Sequence, residues 1–116
     1  MGLAEHSGVY IGDGNIIHLN SNGDIEVVNS REFMDGTSAV NIYVSCHGDH
    51  SVGDTDIAER AKDMLGNGRG YNVLLDNCHQ FSTGCITGDF ENSSNFLWML
   101  KDEVKTHLNG NSWRIW

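Results

Sequence analysis

His6-Ser7-Gly8-Val9-Tyr10-Ile11-Gly12-Asp13-Gly14-Asn15-Ile16-Ile17-His18-Leu19 is the stretch whose reading decides the fold. Residues 6–12 alternate and are rich in strand formers. Asp13-Gly14 follows, a strong hairpin signal, because both residues tolerate the positive φ that a tight turn between twisted strands needs. Asn15 to Leu19 reads as the return strand. A second turn signal, Asn22-Gly23, leads into a third strand over residues 24–29, and Ala39 to Cys46 reads as a fourth. The expectation is an antiparallel meander.

The apolar period then changes. Thr55 to Leu65 places Ile57, Ala61, Met64 and Leu65 on one helical face, with Asp54 or Thr55 to cap it and Gly66 to end it. Tyr71 to Leu75 fits either a short strand or the lead-in to a helix. Asp76 or Asn77 suits the N-cap of a helix starting near Cys78, running towards Thr87 and stopped by Gly88. Ser93 or Ser94 can cap a last helix with Phe96, Leu100, Val104 and Leu108 on its buried face. Asn109 to Ser112 reads as a short linker, and the aromatic tail from Trp113 to Trp116 is expected to pack back on the core. Strands first and helices after describe an α+β domain, a small antiparallel sheet packed against helices. A chain of 116 residues fits one such domain spanning 1–116.

Charge narrows the partners. Sixteen Asp and Glu against seven Lys and Arg give a formal charge of −9. Nucleic acid and anionic membrane surfaces both call for a basic patch, so no nucleic-acid partner is expected and neither surface is expected to bind by plain electrostatics, which leaves docking through apolar contacts open. No window approaches the roughly 18 apolar residues of a membrane span. Three cysteines are an odd number, unlike a disulfide framework, and Met1 to His6 lacks the basic start and apolar run of a signal peptide. The expected location is a reducing cytoplasm. With no proline and fourteen glycines, turns must be built from Gly, Asn and Asp.

Cys78 is the position with the most chemistry. At a helix N-terminus it would meet unpaired N–H groups and about half a positive charge. Such a site favours thiolate over thiol, below the free value near ~8.5, and the same N–H groups can stabilise an oxyanion. Cys46 and Cys85 lack that context and read as structural. A nucleophilic cysteine needs a base, usually histidine, oriented by a third polar group. Of six histidines, His6 and His18 lie on adjacent expected strands. His79 would point about 100° from Cys78 around a helix and make a poor base. His47, His50 and His107 read as solvated or hydrogen-bonded side chains. Cys46-His47-Gly48-Asp49-His50 matches the spacing of no closed zinc site, so neither metal nor other cofactor is expected.

Together, His6 through His18, with two histidines twelve apart around a Gly-Asp-Gly turn, resembles the H-box of the lecithin retinol acyltransferase family. Asn77-Cys78-His79-Gln80-Phe81 resembles its NC motif, which usually reads Asn-Cys-Glu-His-Phe. The likeness runs from His6 to about Gly88. It implies a circularly permuted papain-like domain of the wider NlpC/P60 group. It also implies Cys78 as a nucleophile that takes up an acyl group as a thioester, His6 as base and later acid, and His18 as the residue orienting His6. Tyr10, the aromatic of the H-box, is implied in packing or substrate contact. The expected substrate is an acyl-chain or peptide-like small molecule, acted on by an acyltransferase, an acyl hydrolase or an amidase; an interaction module that has kept the fold is the non-catalytic alternative. Family members usually carry a strand upstream of the H-box, where only five residues stand here, so either truncation or a differently built sheet is expected.

The histidine pair carries a geometric condition. A plain two-residue turn at Asp13-Gly14 would pair His18 with Val9 and set it on the face opposite His6. A three-residue loop with a bulge would pair His18 with Tyr10, on the common face but roughly 13 Å from His6 before twist. A bulge, strong twist or shifted register is therefore predicted.

Overall fold

The protein is described by a computed structural model covering residues 6–35, 37, 41–48, 50–66, 77–92 and 97–116. The hairpin forms as the sequence requires. Strands β1 (Val9–Gly12) and β2 (Asn15–Leu19) pair antiparallel, and β3 (Ile25–Asn29) continues the sheet in the order β1-β2-β3. Asp13 and Gly14 both take positive φ, 55° and 78°, as the turn demands.

The predicted bulge is present, displaced the other way. Gly12 pairs with Asn15, but Tyr10 pairs with Ile16 and Val9 with Ile17, leaving Ile11 as the extra residue. Continued one residue past the ladder, this register sets Gly8, rather than Val9 or Tyr10, across from His18. His6 is then two residues along the strand on the face of His18. A Cβ on Gly8 would lie 2.7 Å from Ile16 Cγ2 and 2.8 Å from Phe33 Cε1, so only glycine fits there.

β2 is the central strand and is buried on both faces. Ile17 and Leu19 point into the larger core, formed with Val9, Ile25, Ile57, Ala61, Phe81 and Cys85. Ile16 packs on the opposite face with Val28 and Phe33. Phe33 comes from α1 (Ser30–Met34), a short helix the sequence reading did not pick out. Its signature is a capping box: Asn29 accepts from the Glu32 amide, and Glu32 reaches back to the Asn29 amide.

α2 (Thr55–Asp63) is capped by Asp54, and α3 (Cys78–Thr87) by Asn77, with Gly88 ending it at φ 85°. Both pack on the larger core through Ile57, Ala61, Phe81 and Cys85. Gly84 on α3 lets the Phe90 ring approach so closely that any Cβ would overlap it. Arg60 from α2 donates to the Cys85 and Ile86 carbonyls near the end of α3. α4 (Leu97–Leu108) lies against α3 and buries Leu100 and Val104. Tyr71 to Asp76, Ser93, Ser94 and Phe96, on which other expectations fell, lie outside the described residues.

The meander ends earlier than expected. β4 (Tyr43–His47) does not join the first sheet; with β5 (His50–Ser51) and β6 (Ser112–Ile115) it forms a second, ordered β5-β4-β6. The tail thus becomes a strand, pairing Tyr43 with Ile115 and Cys46 with Ser112. Ser112, read as linker, opens that strand. The physical reason is non-local: β5 covers one edge of β4 over only two residues, and the other edge is paired by a strand from the end of the chain. The observed class is a small mixed α/β fold with antiparallel sheets and helices.

Candidate active site

The register of β1 on β2 brings the two H-box histidines together. His6 Nε2 lies 2.7 Å from His18 Nδ1, and the ring centroids are 4.9 Å apart. Phe33 forms the floor, stacked on His6 at 4.6 Å and tilted against His18 at 5.6 Å. His18 is also the cross-strand partner of Glu26 on β3, and its Nε2 lies 3.0 Å from Glu26 Oε1.

This row sets the tautomers. The Glu26 carboxylate only accepts, so a neutral His18 ring donates from Nε2 and keeps Nδ1 bare. A bare Nδ1 must receive its hydrogen bond from His6 Nε2. His6 therefore keeps its own Nδ1 free of hydrogen, and that atom is buried with no hydrogen-bond partner among the described residues. A buried unpaired imidazole nitrogen is costly unless it has a use. Sequence reasoning missed Glu26. The signal was available: a carboxylate eight residues after His18, across an Asn-Gly turn, falls opposite it in a hairpin.

Burial is the main reason the His6 pKa is lowered, to about 4, with the neighbouring His18 and His79 adding to it. Glu26 is held below the usual carboxylate value, first by its hydrogen bond with His18 and then by one with Asn20.

Cys78 opens α3 and is 2% exposed. Asn77 accepts from the amides of His79 and Gln80, each at 3.0 Å, as an N-cap should. The thiol does not follow the cap expectation. Burial raises its pKa, and hydrogen bonds from the Ser7 amide and hydroxyl and from the His79 and Cys78 amides only partly oppose that rise. Desolvation of the thiolate outweighs the helix terminus here. Cys46 and Cys85 are also buried and free, and burial pushes the Cys85 thiol up to about 12.

Ser7 links the two halves of the site. His6 faces His18 and Phe33, while the next residue turns to α3, where Ser7 Oγ donates to the Cys78 carbonyl at 3.2 Å. His79, dismissed as a base, is buried and sits 2.9 Å from Ser7 Oγ through Nδ1. Tyr10 lies elsewhere: its hydroxyl accepts from the Gly14 amide and its ring meets Trp116 edge-on at 5.3 Å. His47 and His50 face each other at the β4–β5 turn, and His107 pairs with Glu103 on α4. Among the described residues no three His, Cys, Asp or Glu side chains converge as metal ligands.

The family described as Lecithin retinol acyltransferase matches residues 2–91, a span that holds both histidines, Glu26 and Cys78. The chain belongs to that family. Family membership places it with acyltransferases. No individually curated protein and no solved structure matches the chain. Among the described residues no helix is long and apolar enough to cross a membrane.

Proposed function

We propose that the protein is a thiol-dependent acyltransferase or acyl hydrolase acting on lipid-type esters through an acyl-thioester on Cys78, within one domain of circularly permuted papain-like (NlpC/P60) type. The observation that carries the reading is the unpartnered buried Nδ1 of His6, at the end of a row that runs through His18 to Glu26. A general base needs that nitrogen bare.

The mechanism follows from the protonation states. With its pKa lowered to about 4, His6 is neutral at pH 7, and Cys78, raised by burial, is a thiol. No resting thiolate–imidazolium pair exists, so proton transfer accompanies attack. His6 Nδ1 takes the thiol proton as sulfur bonds to the ester carbonyl carbon. The carbonyl oxygen becomes an oxyanion, for which the Cys78 amide opening α3 is the donor, the His79 and Gln80 amides being held by Asn77. The oxyanion collapses, the alcohol leaves with the proton from His6, and the thioester remains. Water or an acceptor alcohol or amine then repeats the steps in reverse. Through His18, Glu26 offsets the positive charge that His6 carries midway.

The burial of Cys78 favours a second reading, an interaction module that has kept the H-box and NC motif without turnover. One experiment separates them. Incubation with a panel of activated acyl esters, read by intact mass, should add one acyl group on Cys78, and Cys78→Ala should lose turnover while keeping its melting temperature. Equal turnover by the variant, or no adduct from any ester, refutes the enzyme reading. An adduct only from peptide-like substrates would move the assignment to an amidase.

A further inference from the structure

Three buried contacts converge on the single hydroxyl of Ser7. The Cys78 carbonyl lies 3.2 Å away, His79 Nδ1 2.9 Å and Ser82 Oγ 3.0 Å. All three partners sit in the first turn and a half of α3. His79 and Ser82 are 5% and 3% exposed, so water is no substitute for a missing partner.

A hydroxyl has one proton and two lone pairs. Given to the Cys78 carbonyl, the proton leaves two lone pairs to accept from His79 Nδ1–H and the Ser82 hydroxyl, and the oxygen is saturated. An ionised carboxylate at position 79 could not donate that bond, which gives the unusual His79 of this NC motif a physical task. Apolar side chains would pack the same space without the desolvation cost that a buried polar cluster carries.

We propose that Ser7, locked by His79 and Ser82, is a positioning residue that clamps the first turn of α3, and with it Cys78, to the segment before β1 that carries His6. The inference rests on the reading of Cys78 as nucleophile. Ser7 follows His6 directly, so fixing Ser7 on Cys78 fixes the base relative to the nucleophile. The hydroxyl proton also has the sulfur as a second acceptor, and its hydrogen bond there, like that of the Ser7 amide, works against the burial that suppresses the thiolate. As the thiol ionises, its S–H bond breaks and that proton passes to His6, or to solvent in the free protein, while the Ser7 hydroxyl turns its own proton from the carbonyl to the sulfur.

The test follows iodoacetamide alkylation of the Cys78 peptide against pH, beside kcat, KM and melting temperature. Ser7→Ala should move the alkylation midpoint up by about one pH unit and lower kcat about tenfold, with KM changed less than about twofold. His79→Phe should do the same, and Ser7→Thr, which keeps the hydroxyl, should restore both. A lowered melting temperature with an unmoved alkylation midpoint is what a purely structural cluster would give, and it overturns the clamp. Should Ser7→Ala not fold, Ser82→Ala removes one contact from the same oxygen; it must shift the midpoint the same way by less, and no shift overturns the proposal. Intact mass of the wild-type protein after ester treatment tests the underlying reading: an adduct with unmoved alkylation curves overturns the clamp alone, and no adduct overturns both.

Discussion

Acidification should weaken this fold through His6, in a defined window and by a definite amount. The folded imidazole resists protonation down to about pH 4, first because of burial, then because of His18 and His79. In the unfolded chain the same ring titrates near its ordinary 6.5. Between those values the unfolded state binds a proton that the folded state does not, so stability falls as pH falls. The contribution is fully present above 6.5 and is lost progressively until about pH 4, below which both states are protonated. At 1.36 kcal/mol per unit, a depression of about two and a half units amounts to about 3 kcal/mol, a large share of a small domain's stability. Urea unfolding, followed by tryptophan fluorescence at a series of pH values, measures it. In His6→Gln the ring is gone, and the stability difference between wild type and variant should shrink by about 3 kcal/mol from pH 7 to pH 4. Glu26, held below the usual carboxylate value, starts to lose its contribution as pH falls through its unfolded value of 4.5, but it does so in both proteins and cancels in the difference. Parallel stability curves across that range would refute the claim that His6 is buried and neutral, and with it the bare Nδ1 on which the mechanism depends.

Two further outcomes follow from the same contacts. Glu26→Gln keeps an acceptor for His18 but removes the charge that offsets a protonated His6; kcat should fall about tenfold, with little change in melting temperature because the side chain is half exposed, and steady-state kinetics beside a thermal melt checks both. Asn77→Ala strips the cap from α3 by unpairing the His79 and Gln80 amides; it should cost about 1 kcal/mol or more, seen as a melting temperature lowered by several degrees.

The strands and helices were legible wherever the signal was local. The Asp13-Gly14 turn, the Asp54 and Asn77 caps and the Gly88 stop each act within four residues, and each stands where the residues put it. The capping box of α1 was equally local but was passed over between two strand signals. The placement of β4 was not legible, because its partner edge on β6 lies more than sixty residues away and no local preference selects it.

The same division runs through the site. Sequence alone determined which groups are present: Cys78 at a helix start, and His6 and His18 on either side of one turn, although His6 falls just before β1 and not on the expected strand. The turn residues and the alternation of apolar side chains determined that a hairpin joins the histidines. Only the tertiary structure decided how they meet. The bulge at Ile11 sets Gly8 across from His18 and so returns His6 to the same face. Packing decided the protonation states too. The sequence placed Cys78 at a helix terminus, where a thiolate gains about half a unit of favourable charge. Packing then buried the sulfur, and the loss of water outweighs that gain. Which of two opposing effects wins depends on how much water remains, and that is settled by every residue around the sulfur rather than by the few beside it in the chain.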